Sequence, residues 1–297
     1  MTELTADRNH GTLMPYLQHL RPAEWPVMAA HTAVGWLLAA GLHRPSPRAW
    51  LGIAAWVVLL NGGTLALNSA FDHDEGDIAF LRNPPPAPKF LALFAAVLIA
   101  LGMVVTASLP ATYRRLYLLC ALMSVAYSVP PIRLKAIAGM DWLVNMLGFG
   151  TLTPMAAWAI SGRPLPGVMA AVLWSFTPLF AALYPLTQLY QLDDDRARGD
   201  HTLAVRLGPR NSLTVAVFCV GIGFGMLSMA AWRTGWRGGD LTRWGALAVA
   251  AAAWGVVLLP WYAHARTWSS AQHQRAMYHA LGAWALTDVA VLLGWAT

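Results

Sequence analysis

The sequence WLGIAAWVVLLNGGTLALNSAFDHDEGD, residues 50–77, changes abruptly from an apolar run to an acidic cluster. The apolar part, Trp50 to Phe71, is long enough to cross the hydrocarbon core of a bilayer, which takes about 20 residues of helix. Four acids follow at once: Asp72, Asp74, Glu75 and Asp77. The stretch therefore predicts a transmembrane helix that delivers carboxylates to one membrane face.

The rest of the chain has the same character. Of its 297 residues, 57% are hydrophobic and only 11% are charged, whereas about 25% are charged in an average soluble domain. This composition excludes a soluble fold and predicts an all-α, polytopic membrane protein with a single domain over residues 1–297. Nine apolar runs predict nine transmembrane helices: Trp25 to Leu42, Trp50 to Phe71, Phe90 to Leu109, Leu116 to Val129, Trp142 to Ile160, Val168 to Leu192, Leu213 to Trp232, Trp244 to His264 and Ala276 to Trp295.

The distribution of basic residues predicts the orientation. With nine spans and the N-terminus inside, 12 of the 20 Lys and Arg residues fall on the inner side, as the positive-inside rule favours. We expect a multi-pass protein of the cell inner (plasma) membrane, with no cleaved signal peptide. The basic residues are scattered over loops on both sides, so the lipid bilayer is the expected partner and nucleic acid is not.

A second acidic cluster repeats the first. Eight of the 14 acids fall in the two clusters, and the second comprises Asp193, Asp194, Asp195 and Asp200. Asn68, Asp72, Gly76 and Asp77 align with Gln191, Asp195, Gly199 and Asp200 at a constant shift of 123 residues. The repeat predicts two pseudo-repeated halves, with acidic motifs at 68–77 and 191–200. The motifs end the second and sixth spans, so an even number of crossings places both on the same face.

The spacing within each motif suggests metal binding. An amide precedes an aspartate by four residues, which puts both side chains on one face of a last helical turn, and the following glycine suits a left-handed helix stop. Carboxylates are unfavourable at a helix C-terminus, so two such sets facing each other need cations. Carboxylate and amide oxygens suit Mg²⁺, and a bound diphosphate would complete the neutralisation. The alternative is a pair of solvated acidic loops.

Several segments together carry a family likeness. The stretches NSAFDHDEGDIAFLRNPPPAP (68–88) and YQLDDDRARGDHTLAVRLG (190–208) resemble the two aspartate-rich motifs of the UbiA superfamily of intramembrane prenyltransferases. LRPAEWP (20–26), YSVPPIRLK (127–135) and GMDWLVN (139–145) resemble that superfamily too, in the same order. The resemblance implies nine helices around a central cavity, with cytosolic capping loops and a lateral opening to lipid.

The resemblance also implies roles for individual residues. It marks Asn68, Asp72 and Asp195 as catalytic ligands of Mg²⁺ or diphosphate, and Arg21, Arg133 and Lys135 as diphosphate-binding. Two positions depart from the family pattern, because Gly76 and Gln191 stand where acids are usual. Either Asp77, Asp193 and Asp194 supply the missing carboxylates or the site uses fewer. The candidate metal set is Asn68, Asp72, Asp77, Gln191, Asp194 and Asp195, and the loop after the first motif adds Arg82 and Lys89 as candidate phosphate partners.

The chemistry that this family implies needs a dry cavity. An allylic diphosphate ionises to a carbocation, which aromatic faces stabilise through cation–π contacts, and Tyr127 and Tyr190 are the candidates, with packing as the alternative. Asp288 and His31 lie within apolar spans and should face the bundle interior. Asp288 either orients or deprotonates an acceptor or pairs with His279 or a backbone donor. Ser128 and Asn145 are further cavity candidates, and for Asn145 and Ser69 a helix contact is the alternative.

The sequence is compatible with three functions. The leading hypothesis is Mg²⁺-dependent transfer of an isoprenyl group from an isoprenyl diphosphate to a hydrophobic acceptor, which could be aromatic, a quinone precursor, a lipid or a polyene. A terpene cyclase would use the same ionisation. A cation transporter would also carry intramembrane acids and repeats, but its acids are expected at the midplane and its repeats are commonly inverted. The acids here cluster at one face.

Overall fold

The structure is a computed structural model that describes residues 13–72, 80–81, 83–199 and 201–296. Every regular element in these ranges is helical, which confirms the all-α prediction. The helices are α1 (Met14–His19), α2 (Trp25–Ala40), α3 (Pro47–Asp72), α4 (Leu91–Val105), α5 (Ala111–Ser128), α6 (Met140–Ile160), α7 (Gly167–Gln188), α8 (Leu192–Arg198), α9 (Leu203–Arg233), α10 (Leu241–Ala263) and α11 (Ser270–Trp295).

Each of the nine predicted apolar runs overlaps one long helix, namely α2 to α7 and α9 to α11. Six of the described helices are long and apolar enough to cross a membrane: α3, α6, α7, α9, α10 and α11. Helix α4 is apolar but has only 15 residues. The chain is therefore a multi-pass membrane protein, and the number of nine crossings stays a prediction.

Local sequence signals set the helix ends. Ser46 accepts the Ala49 N–H at 3.2 Å and is followed by Pro47, a combination that favours a helix start. Ser269 and Gln272 form a reciprocal capping box at the start of α11. Gly208, with φ of 73°, precedes Pro209 and interrupts α9 after its first turn. Proline lacks the N–H that would continue the helix there.

Two of the long helices contain a π-helical segment. In α3 it covers Ala55–Asn61 and in α6 it covers Met146–Leu152. The wider turn leaves carbonyl oxygens without their usual helical partners. Thr153 Oγ1 donates to the Gly148 carbonyl at 2.8 Å and accepts from Trp56 Nε1 at 3.2 Å. The two π-helical segments are thus joined across the interior of the bundle.

Helices α2 and α6 approach each other closely enough for their backbones to touch. A Cβ atom built on Gly35 would overlap the Pro154 carbonyl oxygen. Small residues permit such contacts between transmembrane helices, where van der Waals packing replaces the hydrophobic effect as the driving force. The contact fixes α2 against α6, which places His31 beside Gly150 (Nε2 to the carbonyl oxygen, 3.1 Å).

We expect Gly35→Ala to lower the free energy of unfolding by about 1–3 kcal/mol, because the added methyl group forces these helices apart. The matched control is Gly221→Ala on α9, where an added Cβ meets nothing within 4 Å. That substitution should change stability by less than about 1 kcal/mol. Thermal unfolding of both variants in detergent measures the difference, and equal melting temperatures would contradict the packing.

Candidate active site

A cavity of about 320 Å³ opens among the helices, and both acidic motifs contribute to its wall. Asn68 and Asp72 come from the end of α3, whereas Gln191 and Asp195 come from the segment after α7. The remaining wall is mainly apolar and aromatic. The topology argument, which placed the two motifs on one face, thus agrees with their meeting at one cavity.

The first motif is held by cations from the loop between α5 and α6. Lys135 Nζ contacts Asp72 Oδ1 and donates to Asn68 Oδ1 at 3.1 Å. Arg133 Nη2 lies 3.5 Å from the same Asp72 oxygen. The Lys135 and Asp72 side chains are only about one-tenth exposed, so the two charges compensate each other out of water. The Asn68 amide and the Asp72 carboxylate thus lie in contact with the two cationic side chains.

The second motif differs from its predicted geometry. Helix α7 ends at Gln188, and the motif lies on the separate short helix α8, for which Gln191 is the N-terminal cap. The expectation that this motif occupies the last turn of a span is therefore wrong, although it holds for Asn68 and Asp72. Asp195 is 5% exposed and accepts from Thr202 Oγ1 at 3.3 Å. Gly199 ends α8 in the left-handed conformation, as predicted.

A fully buried carboxylate ties the second motif to α6. Asp141, with no exposed surface, accepts the Gly139 N–H at 2.8 Å and the Leu203 N–H at 3.1 Å. Its Oδ2 also accepts from Gln188 Nε2 at 3.1 Å, and Gln188 Oε1 accepts the Ala204 N–H at 3.3 Å. The first N–H groups of α9, which a helix leaves without partners, are satisfied in this way. Asp141 therefore fixes the chain that follows the second motif.

Two phenols extend this network into the cavity. Gln188 Nε2 also donates to the Tyr184 hydroxyl at 3.2 Å, and the Tyr184 and Tyr127 hydroxyls are 2.8 Å apart. Tyr127, Tyr184 and Gln188 all line the cavity. Because the hydroxyl groups are held by neighbours, the two rings have fixed positions in the wall.

A hydrogen-bonded pair of polar side chains crosses the interior beside the cavity. His31 Nδ1 lies 2.9 Å from Asp288 Oδ1, and the His31 ring packs edge-on against Phe176 and Trp284. Both side chains are buried, and His31 lines the cavity. The pair joins α2 to α11. Asp288 thus has a partner, but this partner is His31 and not the predicted His279.

Comparison with known proteins agrees with this architecture. A sequence profile of the UbiA prenyltransferase family matches residues 28–282. The chain belongs to the UbiA prenyltransferase family. It is therefore a prenyltransferase. This assignment replaces the alternative that the protein is a cation transporter.

Curated relatives support the same assignment. Digeranylgeranylglyceryl phosphate synthase of Natronomonas pharaonis is 28% identical over 204 residues, which cover 66% of this chain and 70% of that protein. Lycopene elongase/hydratase of Haloarcula japonica is 26% identical over 256 residues, covering 74% and 78% respectively.

Solved structures match the fold of this UbiA protein along almost its whole length. A UbiA homologue from Archaeoglobus fulgidus bound to DMAPP and Mg²⁺ has a TM-score of 0.68 at 18% identity, with 94% of this chain and 99% of that chain covered. An apo UbiA homologue from Aeropyrum pernix K1 has a TM-score of 0.60 at 17% identity, covering 93% and 98%.

The structure places most of the predicted site residues on or beside the cavity. Lining residues among them are Arg21, Asn68, Asp72, Tyr127, Lys135, Asn145, Tyr190, Gln191 and Asp195. Ser128 and Asp288 stand behind the wall, where Ser128 donates to Asn68 Oδ1 at 3.4 Å and Asp288 binds His31. Lys89 is exposed and lies over the Phe90 ring, 5.5 Å from its centroid, which is a surface position. Asp77, Arg82 and the side chain of Asp194 lie outside the described residues.

Sequence reasoning missed the residues that connect the two motifs. Asp141, Gln188 and Tyr184 form the buried network, and Asn61 and Glu24 also line the cavity. A signal for Gln188 and Asn61 was present, since each is a polar residue inside an otherwise apolar run. Asp141 belongs to GMDWLVN, a segment that carries the family likeness, but no local pattern indicates that its carboxylate binds the start of α9.

The donor set fits Mg²⁺ bound together with a diphosphate. Within the described ranges, no three His, Cys, Asp or Glu side chains are grouped to hold a metal ion. Mg²⁺, however, is usually bound by one or two carboxylates, with water and substrate phosphate oxygens completing its octahedron. Asp72 and Asp195, with the Asn68 amide oxygen, are such a set.

Glu24 precedes α2 and is the other acid on the cavity wall. Burial raises the pKa of Glu24 above its ordinary value, while the Arg21 charge and the Asn61 side chain partly oppose the shift. A carboxyl group with a raised pKa in the folded state favours folding when it is protonated. Stability from this group is therefore greatest below the ordinary carboxyl pKa and falls as the pH rises towards the raised value.

We expect Glu24→Gln to raise the melting temperature at pH 7 relative to the parent protein, since it removes the ionisation that burial disfavours. The advantage should shrink as the pH falls to about 4, because the parent carboxyl is then protonated as well. Melting curves between pH 4 and pH 8 in detergent measure it. A difference that does not change with pH would show that ionisation is not its cause.

We expect Asp141→Ala to lower the free energy of unfolding by about 3 kcal/mol or more, because three donors lose the fully buried carboxylate that accepts from them. Asp240→Ala is the matched control, since Asp240 accepts the Arg237 N–H at 2.8 Å at an exposed site. The control should lose less than about 1 kcal/mol. Similar losses in the two variants, measured by thermal unfolding, would contradict a special role for the buried network.

Proposed function

We propose that this UbiA protein transfers an isoprenyl group from an isoprenyl diphosphate to a hydrophobic acceptor, with Mg²⁺ at the two acidic motifs. One observation carries the proposal: Asp72 and Asp195, from the two motifs, line a single cavity whose wall also holds Lys135. A diphosphate binds where cations and metal-binding oxygens converge, and an isoprenyl chain needs the apolar wall behind them. This UbiA cavity offers both.

The solved relatives support the choice of donor. The Archaeoglobus fulgidus homologue has been solved bound to DMAPP with Mg²⁺ and to GPP with Mg²⁺. Those structures share the fold of this chain over nine-tenths of its length. We propose the same class of donor for this chain.

The reaction begins with loss of diphosphate from the first carbon of the isoprenyl chain. Lys135 and Arg133 lie beside Asp72 and are positioned to turn their N–H groups to the leaving oxygens as these gain charge. Arg21 is a further cation of the wall. When bound, Mg²⁺ supplies neutralisation of the diphosphate charge, and Asn68, Asp72 and Asp195 would hold it, with Asp77, Gln191 and Asp194 as additional candidates.

The wall behind this site protects the allylic cation. An apolar cavity within the membrane excludes water, which would otherwise capture the cation. Tyr127 and Tyr184 present fixed rings there, and aromatic faces attract a cation. The acceptor then forms a bond to the cationic carbon and releases a proton. We propose that the site lies at the cytosolic face of the cell membrane, following the predicted orientation.

The experiment is Mg²⁺-dependent diphosphate release from purified protein in lipid, with geranyl, farnesyl or geranylgeranyl diphosphate as donor and mass spectrometry of the product. We expect Asp72→Ala and Asp195→Ala each to slow release at least about a hundredfold, as expected when charge stabilisation at the leaving group is lost. Asp240→Ala, far along the chain at the exposed start of α10, should retain the parent rate. EDTA should abolish release in all three.

Two results would refute the proposal. Release that is equally fast in the Asp72 and Asp195 variants would separate the acidic motifs from the chemistry. Absence of both donor binding and release, with lipid and quinone acceptors supplied, would refute prenyl transfer from these donors. A product without any acceptor atoms would instead identify cyclisation.

A further inference from the structure

Asn61 is a buried amide that the proposed donor site does not use. It ends the π-helical segment of α3, is 4% exposed and lines the cavity. Neither its Nδ2 nor its Oδ1 makes a hydrogen bond of normal length and angle to any part of the chain that the structure describes. Leaving a buried donor or acceptor unpaired costs about 1–3 kcal/mol. Such a group on a cavity wall is suited to a ligand.

Two neighbours on the wall make this a polar set. The Asn61 side chain has a looser hydrogen-bond contact with the Glu24 carboxyl group, outside normal length and angle, which opposes part of the rise in the Glu24 pKa. Burial favours the uncharged form of that carboxyl group. Ser124 on α5 is also 4% exposed and lines the cavity, and its Oγ has no hydrogen-bond partner among the described residues. The polar set therefore consists of an amide, a carboxyl group and a hydroxyl group.

Asn61 is separated from the acidic motif that is proposed to hold the diphosphate. Asn61 precedes Asn68 by seven residues on α3, which is about 10 Å along the helix axis at about 1.5 Å per residue. It also lies on the side of Asn68 away from Asp72, further into α3. A donor whose diphosphate is held at Asn68 and Asp72 would leave this region of the wall to the second substrate.

We propose that Asn61, together with Glu24 and Ser124, binds a hydroxyl group of the acceptor. This inference rests on the proposed prenyl transfer and names the class of its second substrate, an alcohol or phenol with a long apolar part. Asn61 offers one donor group and one acceptor group, and a hydroxyl group can satisfy both, whereas a carbonyl or an ether oxygen only accepts.

The other acceptor classes fit the polar set less well. A pure hydrocarbon would leave Asn61 and Ser124 buried and unpaired, at the free-energy cost given above. A phosphate-bearing acceptor would bring its negative charge to the Glu24 carboxyl group, and the nearby cation, Arg21, already acts on Glu24. Arg21, Arg133 and Lys135 are the cations proposed for the donor diphosphate, so they are not free to receive a second phosphate.

The test uses the full chain in lipid vesicles with Mg²⁺ and saturating geranylgeranyl diphosphate. The acceptor panel is a dialkylglycerol, its O-methyl ether, its phosphate ester, a long-chain alkylphenol and a hydrocarbon polyene. We expect the dialkylglycerol or the alkylphenol to have the highest kcat/KM. The methyl ether has no hydroxyl proton to release and is therefore measured as a competitive inhibitor, with a Ki expected at least about tenfold above the KM of its parent alcohol, as when a site loses the hydroxyl that it binds.

The variant Asn61→Leu should raise KM for the preferred hydroxyl acceptor about tenfold or more, whereas the Ki of the methyl ether should change less. Donor affinity, measured with a non-hydrolysable analogue, should not change. Its melting temperature should stay the same or rise, because leucine replaces an unpaired buried amide. A merely structural asparagine would lower the melting temperature instead. Ser212→Ala is the matched control, since Ser212 is buried, its Oγ has no hydrogen-bond partner among the described residues, and it does not line the cavity.

Three outcomes would overturn the hydroxyl site. These are an unchanged acceptor KM in Asn61→Leu, a higher kcat/KM for the phosphate ester or the polyene than for both hydroxyl acceptors, and diphosphate release without consumption of either one. In each case the donor half-reaction still proceeds. Loss of diphosphate release from the parent protein would instead refute the proposed prenyl transfer, and the acceptor site with it.

Discussion

A polar or ionised group inside a bilayer has no water to bind, so it must find its partner within the protein. Much of this fold follows from that constraint. His31 and Asp288 join α2 to α11, and Trp56 and Thr153 join the two π-helical segments. Because each pair connects helices that are far apart in the chain, satisfying polar groups also fixes the arrangement of the bundle. Asn61 and Ser124 on the cavity wall are exceptions, because neither side chain makes a hydrogen bond of normal length and angle to the described residues.

Electrostatics organises the mouth of the cavity in the same way. Asp72 ends α3, where the helix dipole disfavours a negative charge, and Lys135 and Arg133 compensate it. Asp195 is held separately by Thr202 on the other side. Asp72, Lys135 and Arg133 neutralise one another and already lie close together. A diphosphate with Mg²⁺ would offer negative charge to the two cations and a metal ion to the carboxylate. The proposed binding of diphosphate is therefore an exchange of partners among groups that are already assembled.

The two motifs reach this arrangement by different routes. The first is the end of a long helix, so four-residue spacing predicted correctly that Asn68 and Asp72 share a face. The second lies on α8, and its position depends on Asp141 and Gln188, which bind the first N–H groups of α9. No local pattern indicates these contacts, because Asp141 and Leu203 are 62 residues apart. A repeat in sequence thus became two different local structures.

The sequence by itself determined the membrane environment, the all-helical fold class and the family. The length of an apolar run and the clustering of acids are local properties of the chain. It also predicted that both motifs lie at one face, since counting crossings needs no contacts. Only the tertiary structure decided that Asp288 pairs with His31, that Lys135 meets Asp72, and that Asn61 lies on the cavity wall. These facts depend on how helices rotate and approach each other. That is set by side-chain packing between distant segments, such as the contact of Gly35 with Pro154.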